Sequence, residues 1–227
     1  PDCSEPFSSR VEDIRNDGPS IYTSVLENAD NSCGWGEATD FYINYDLMRM
    51  RLTMKDNGPK GFGSEESIWR FFKLGNRNEQ AAVGETIGKY GKGGYKGVIN
   101  MGDDFDIVSY FDGKKHEIGT DINTMIQSNN QQPTRPLTSI ESPLTDGSVS
   151  GSEISVKLRP KYQAIFNVVD MRRNLTRAYH NMPMNIYLQG DEVEKVTPYG
   201  VTFQDLKVYD IMWGEGKFTS REHVEPA

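Results

Sequence analysis

The sequence predicts a fold that mixes α-helices with β-strands, and three observations predict it. Apolar residues recur at helical spacing between Ile21 and Ala29. Two segments of strict two-residue alternation follow, on either side of Asp46. A glycine- and lysine-rich stretch then leads into a short helical pattern, after which strand and helix periods interleave along the chain. The 227 residues are 36% hydrophobic, which suits one large domain with a sizeable core.

Each element has its own local reason. Residues 1–17 are polar and irregular, with a short helix expected around Val11 to Arg15. Pro19 marks a helix start, because proline presets the backbone of a first turn. Ile21, Val25 and Ala29, flanked by Tyr22 and Leu26, then form a buried stripe. Phe41, Ile43 and Tyr45 alternate with polar residues, as do Met48, Met50, Leu52 and Met54, so two strands in a hairpin are expected. Asp56-Asn57-Gly58 reads as a turn, and Ser64 as the cap of a helix running to about Leu74. Residues 75–95 form a glycine-rich loop, followed by a short helix from Lys96 to Met101 and a strand from Phe105 to Phe111. Asp112-Gly113 is a hairpin signal into a further strand. Residues 127–150 hold three prolines and few large apolar residues, which reads as a long surface loop. Ile154, Val156 and Leu158 alternate as a strand, Val168 to His180 reads as a helix, and Met184 to Leu188 as a strand. The tail from Val201 is expected to be strand-rich.

The bulk numbers exclude several classes. A net charge of −8 argues against a chain-wide electrostatic grip on nucleic acid or acidic lipid. No apolar run approaches the ~20 residues a membrane helix needs, and no secretory signal pattern opens the chain. Two cysteines make no disulfide framework, so free thiols and an intracellular setting, cytoplasmic or nuclear, are expected. His116, His180 and His223 are scattered, without partners at zinc-ligand spacing.

Four short motifs carry chemistry. Asn28-Ala29 lies on the first helix, where an amide oxygen can ligate magnesium, a cation that prefers oxygen and keeps several waters. Asp56-Asn57-Gly58, followed by Gly61-Phe62-Gly63, ends a strand. A buried carboxylate there can accept from an adenine amino group while glycines let a flat ring approach the backbone. Gly88 to Lys96 (GKYGKGGYK) opens a helix, offering backbone N–H donors and a lysine charge to phosphate. Gly151-Ser152-Glu153-Ile154 opens a strand with a hydroxyl that can reach Asp56 or a base. Each motif alone has a plainer reading: a solvated Asn, a simple turn, a surface loop. Their joint order is what points to a nucleotide site.

In that order the motifs resemble the GHKL ATPase superfamily, with its Bergerat nucleotide-binding fold, and most nearly the ATPase heads of MORC proteins. The resemblance spans roughly Ile21 to Val196, carried by DNGPKGFGSEESIWRFFKLGNRN, IGKYGKGGYKGVINMGDDFDIVS and LTRAYHNMPMNIYLQGDEV. It implies an α/β (α+β) two-layer sandwich, with helices on one face of a mixed β-sheet. It also implies ATP and magnesium as ligands, and homodimerisation through ATP-driven closure of two heads. By the same resemblance Asn28 holds magnesium and Asp56 binds adenine. Gly58, Gly61 and Gly63 shape the adenine wall, and Gly91, Gly93 and Gly94 form the lid. Lys96 meets the phosphates, and Ser152 stands where the family often has Thr. Residues 18–198 are then the nucleotide-binding domain. Residues 1–17 are an N-terminal polar extension, and 199–227 a strand-rich segment read as the start of a transducer domain. Contact with nucleic acid is left to parts outside this chain, and no membrane partner is expected.

Three departures bear on activity. Pro59 and Lys60 stretch the Asp-x-Gly-x-Gly pattern, and the lid has an extra glycine. The family's general base is a Glu one helical turn before the magnesium Asn, and here that position is Ser24. Serine cannot take a proton from water near neutral pH as a carboxylate can. The expected protein therefore holds ATP with weak or no hydrolysis, and Ser24→Glu is expected to raise turnover. Two alternatives stay open. One is an active ATPase head of topoisomerase or chaperone type, using Glu27 or a partner-supplied base. The other is an interaction module that kept the fold without nucleotide.

Overall fold

The computed structural model describes residues 6–18, 20–72, 93–129, 132–141, 150–178 and 183–194, and the backbone of 206–213 and 216–223. An eight-stranded sheet forms its floor. The strands are β1 (Asp40–Asp46), β2 (Arg51–Asp56), β3 (Gly102–Phe111), β4 (Lys114–Asp121), β5 (Arg135–Glu141), β6 (Gly151–Leu158), β7 (Asn185–Leu188) and β8 (Asp191–Glu192). Their spatial order is β5-β4-β3-β6-β2-β1-β7-β8. Every pairing is antiparallel except β1 with β7, which makes the sheet mixed. A separate antiparallel pair, β9 (Leu206–Trp213) and β10 (Gly216–His223), follows.

The two-residue period decides which face is covered. Phe41 and Ile43, Leu52 and Met54, Phe105 and Ile107, Ile154 and Val156, and Ile186 and Leu188 are all buried. They share one core with the apolar stripes of the helices. Those helices are α1 (Phe7–Asp17), α2 (Ile21–Gly34), α3 (Glu65–Phe71), α4 (Gly93–Met101), α5 (Ile122–Ser128), α6 (Pro160–Gln163) and α7 (Val168–Ala178). The result is the expected two-layer α+β sandwich, helices on one face.

The other face is polar and is tied by charge. Arg51 on β2 reaches over β6 to Asp104 and Asp106 on β3, at 2.9 and 2.7 Å. Arg135 on β5 reaches over β4 to the same two carboxylates, at 2.9 and 2.8 Å. Two guanidiniums thus grip one aspartate pair from opposite sides. A network with paired, forked geometry holds better than isolated surface pairs do.

Four elements differ from their sequence expectations. The helix expected around Val11 to Arg15 runs from Phe7 to Asp17, because Phe7, Val11 and Ile14 form a buried i, i+4, i+7 stripe. Arg15 ties it to Asp103 at 2.5 Å. Met48 and Met50, expected on a strand, sit in the β1–β2 turn. There Asp46 Oδ1 accepts the N–H groups of Met48 and Arg49, and Met50 takes a φ of 52°. The long loop expected over 127–150 contains β5, an edge strand whose side chains are mostly exposed and so need no apolar alternation. Pro136 is tolerated there because an edge strand does not need every N–H. Ahead of it lies the unexpected helix α5, capped by Asp121 Oδ1 accepting the N–H of Thr124. The end of the helix from Ser64 and most of the glycine-rich loop, expected over 73–92, fall outside the described residues.

If α1 belongs to the cooperative core, Phe7→Ala should cost about 3–5 kcal/mol in denaturant unfolding, as expected for a fully buried aromatic. A loss below about 1 kcal/mol would show that α1 is an appendage.

Candidate functional site

The apolar face of the sheet turns polar at one level. Along β2 the inward positions read Leu52, Met54, Asp56, and along β3 they read Phe105, Ile107, Ser109. On β6, Ser152 pairs with Ser109 in register. Asp56, Ser152 and Ser109 therefore form a polar row across three neighbouring strands. Asp56 is only 3% exposed, and a buried carboxylate must be hydrogen-bonded. Its Oδ1 accepts the N–H groups of Gly58 at 2.9 Å and Ser152 at 3.2 Å. Its Oδ2 accepts the hydroxyls of Ser152 at 2.5 Å and Ser32 at 3.0 Å. Those four donors match the acceptor capacity of one carboxylate.

The glycines around Asp56 are placed by close approach. A Cβ on Gly58 would lie 2.4 Å from the Gly36 carbonyl oxygen. Gly61, at a φ of +49°, brings its backbone so near that a Cβ would lie 2.5 Å from Ser109 Oγ. That hydroxyl in turn accepts the N–H of Phe62. Gly63 has a φ of +73° just ahead of the Ser64 cap of α3.

Helix α2 supplies the other half. Ser20 caps it, accepting the N–H of Thr23, and Pro19 lies outside the described residues. Asn28 is buried, and its Nδ2 donates to the Ser24 carbonyl at 2.7 Å. That bond turns Oδ1 toward Gly94 in the first turn of α4, where a Cβ would lie 3.5 Å from it. Gly93 is the first residue of the same helix, and Gly91 lies outside the described residues. Ser32, one turn after Asn28, reaches Asp56, so a single helix spans both halves of the site.

Ser24 and Lys96 sit differently from a nucleotide-facing pair. Ser24 is fully buried against α4: a Cβ on Gly97 would lie 2.9 Å from Ser24 Cβ and 3.1 Å from its Oγ. Among the described residues its hydroxyl has no hydrogen-bond partner. Lys96 is exposed on α4. Glu27 is half-buried on α2, one residue from Asn28. Burial, and then the nearby Glu27 charge, push the Asp30 carboxyl above its ordinary value. Glu27 and Asp30 thus make a crowded acidic pair beside the site.

The donor set fits magnesium and a nucleotide in kind. Asn28 Oδ1 is a hard oxygen beside the positive end of α4, whose first turn carries no acidic residue. Among the described residues, no group of three or more His, Cys, Asp or Glu is set to hold a metal ion. Magnesium suits such a site, because it is commonly held by one or two protein oxygens, phosphate oxygens and water.

No family model matches the chain, and no curated protein matches it. Among solved structures it is similar to the ATPase region of Saccharomyces cerevisiae topoisomerase II. The TM-score is 0.56 and the identity 17%, over 77% of this chain and 48% of that one. The chain spans about half the length of that structure's chain. At this identity the likeness shows the fold, and the fold is the one the motifs implied. No described helix is long and apolar enough to cross a membrane.

Sequence reasoning singled out Asn28, Asp56, Gly58 and Ser152 but missed Ser32, Ser109, Gly97 and the strain at Gly151. Ser109 carried a signal, being polar at the inward phase of Phe105 and Ile107. Gly151 also carried one, as a glycine opening a strand: its φ is +103°, and a Cβ there would lie 2.0 Å from the Asp56 carbonyl oxygen.

The Ser24 geometry reverses one expectation. Ser24→Glu must force a carboxylate into a closed helix contact, where overpacking alone costs about 1–3 kcal/mol. It should lower the melting temperature and leave turnover unraised. Ser24→Ala, which removes a buried hydroxyl unpartnered among the described residues, should melt at or above wild type. Thermal melts and phosphate-release assays of the two variants check both outcomes.

Proposed function

We propose that this chain is a GHKL-type, MORC-like ATP-binding domain, acting as an ATP-dependent dimerisation switch with weak or no hydrolysis. The observation that carries the reading is α2, which presents Asn28 to the N-terminal turn of α4 and Ser32 to the buried Asp56. Base recognition and phosphate recognition are thereby set one helical turn apart on one rigid element.

The roles follow from the chemistry. Asp56, an acceptor only, takes the exocyclic amino group of adenine, which then displaces one of its present donors. The Ser32 hydroxyl can rotate away, whereas the backbone N–H groups of Gly58 and Ser152 cannot. The glycine-shaped wall at Gly58, Gly61 and Gly63 lies against the ring. The first turn of α4, at Gly93 and Gly94, offers backbone N–H groups and a favourable dipole to phosphate. Lys96 adds its charge from the exposed side of the same helix. Gly91 belongs to this phosphate-binding set by resemblance. Magnesium, when bound, neutralises phosphate charge, and Asn28 Oδ1 is its protein ligand. Hydrolysis needs a base for the attacking water, and Ser24 is neither basic nor open to water. Closure of two ATP-loaded heads into a homodimer, an intracellular location, and nucleic-acid contact through other parts of the assembly complete the proposal.

The fold likeness to a topoisomerase II ATPase region favours a second reading equally: an active ATPase head. Glu27, half-buried beside Asn28, is then its base, or a partner supplies one. Phosphate release separates the two. Steady turnover abolished by Asn28→Ala makes the chain an enzyme.

Calorimetric titration with a non-hydrolysable ATP analogue should show binding that magnesium strengthens. Asp56→Asn should weaken it roughly tenfold to a hundredfold, the cost of losing a hydrogen bond to a charged acceptor. Asn28→Ala should remove the gain from magnesium while the binding seen in EDTA persists. Absence of binding heat in wild type, with no thermal shift, would mark the chain as an interaction module without nucleotide.

A further inference from the structure

Ser109 is fully buried at an inward position of β3, after Phe105 and Ile107. A hydroxyl in that phase must find a hydrogen bond or cost stability. Its Oγ accepts the N–H of Phe62 at 2.9 Å. Phe62 lies in the loop between β2 and α3, the stretch that Pro59 and Lys60 lengthen. The extra length is taken up by two successive turns. Gly61 N–H donates to the Gly58 carbonyl at 3.2 Å, and Gly63 N–H to the Lys60 carbonyl at 2.7 Å. Gly61 and Gly63 take positive φ angles of 49° and 73°, which glycine adopts freely. Two turns in series fix the shape of the loop but not its position on the sheet.

Position comes from anchors. At the start of the loop, Asn57 Oδ1 accepts the N–H groups of Thr39 and Asp40, and Asp56 Oδ1 accepts that of Gly58. At its end, Ser64 caps α3, and Glu65 Oε1 accepts the hydroxyl of Ser139 on β5 at 3.1 Å. Between these, Lys60 pairs with Glu37, both half-exposed. Among the described residues, the bond from Phe62 to Ser109 is the only hydrogen bond by which residues 58–63 reach a strand beyond β2. Ser109 is also in register with Ser152, whose hydroxyl holds Asp56. The carboxylate proposed to bind the base and the loop proposed to wall it are thus fixed to paired residues of neighbouring strands.

We infer that Ser109 is a positioning residue for the base end of the site: it fixes the 58–63 wall relative to Asp56 and so governs affinity for an adenine nucleotide without touching it. The inference rests on the nucleotide reading above. Without the hydroxyl, the Phe62 N–H loses its acceptor. The loop can then lift to hydrate that N–H, because both of its turns are internal to it. Binding must draw the N–H back under cover unpaired. The cost of an unsatisfied buried donor therefore falls on binding and not on folding.

The test is calorimetric titration of the full chain with a non-hydrolysable ATP analogue, in magnesium and in EDTA, on wild type, Ser109→Ala and Ser109→Cys. Ser109→Ala should bind roughly tenfold more weakly in both conditions, the order expected for a buried N–H left without its acceptor. The gain from magnesium should be unchanged, since Asn28 is untouched. Ser109→Cys, nearly the same shape with a weaker acceptor, should fall between wild type and Ser109→Ala. Hydrogen exchange at the Phe62 amide should be slow in wild type and faster in Ser109→Ala. The melting temperature should stay within about 2 °C of wild type. Unchanged affinity in Ser109→Ala overturns the positioning role and leaves the nucleotide reading intact. An unquickened Phe62 amide overturns it as well. A general loss, with melting and the magnesium gain both reduced, marks Ser109 as core structure alone and has the same consequence. Should Ser109→Ala not fold, Ser109→Cys decides alone by the same readings. No binding by wild type overturns the nucleotide reading, and the positioning role with it.

Discussion

The structure depends on one buried charge. Asp56 occupies the inward strand position that follows the apolar Leu52 and Met54 on β2. A carboxylate taken out of water must be supplied with donors or it disrupts the fold. That demand reaches three separate elements. It draws the start of β6 close enough that only glycine fits at 151, bends the chain after β2 so that the Gly58 N–H points back, and fixes the last turns of α2 through Ser32. A sheet end, a loop and a helix are thereby assembled around one acceptor.

The second constraint is the approach of α2 to α4. Ser24 and Gly97 are both small because the helix backbones nearly touch there. The consequence is felt one turn away on each helix, at Asn28 and Gly94, whose separation is set by that contact. Ser24 also orients Asn28 through its carbonyl oxygen. Ser24 is therefore part of the scaffold that aims Asn28, the proposed metal ligand. Its side chain keeps the helices together, which a longer charged side chain cannot do in this packing. On the proposed reading, the missing base and the placement of the phosphate end are linked physically at Ser24.

Much of this was legible in the sequence, for physical reasons. Strong two-residue alternation at Phe41–Tyr45 and Ile154–Leu158 and four-residue recurrence at Ile21–Ala29 each reflect a face that must be covered, so their elements were readable. β5 was not, because an edge strand with exposed side chains has no buried face to impress a period on its sequence. α1 was read too short because Phe7, its first buried residue, lies a full turn before the apolar residues that catch the eye. Met48 and Met50 misled because alternation continued by chance into a turn that Asp46 dictates through side-chain hydrogen bonds. At the site, Asp56 and Ser152 were readable as a pair because both sit beside glycines at strand ends. Ser32 and Gly97 were not, since their roles come from what faces them across the fold. No local pattern records that.

Holding a nucleotide and cleaving it make different demands on such a site. Holding requires an acceptor for the base, donors for phosphate and a hard oxygen for the cation. Asp56, the α4 turn and Asn28 have those chemical characters and lie on elements fixed by the core. Cleaving requires in addition a water-accessible base aligned with the terminal phosphate. The one side chain at the expected place is uncharged, unpartnered among the described residues and closed off by Gly97, while Glu27 and Asp30 on the same helix crowd each other. On the proposed reading, that arrangement suits holding a nucleotide more than cleaving it. On the same reading, occupancy of the site would be felt through α2 and α4, which meet at Asn28 and Gly94.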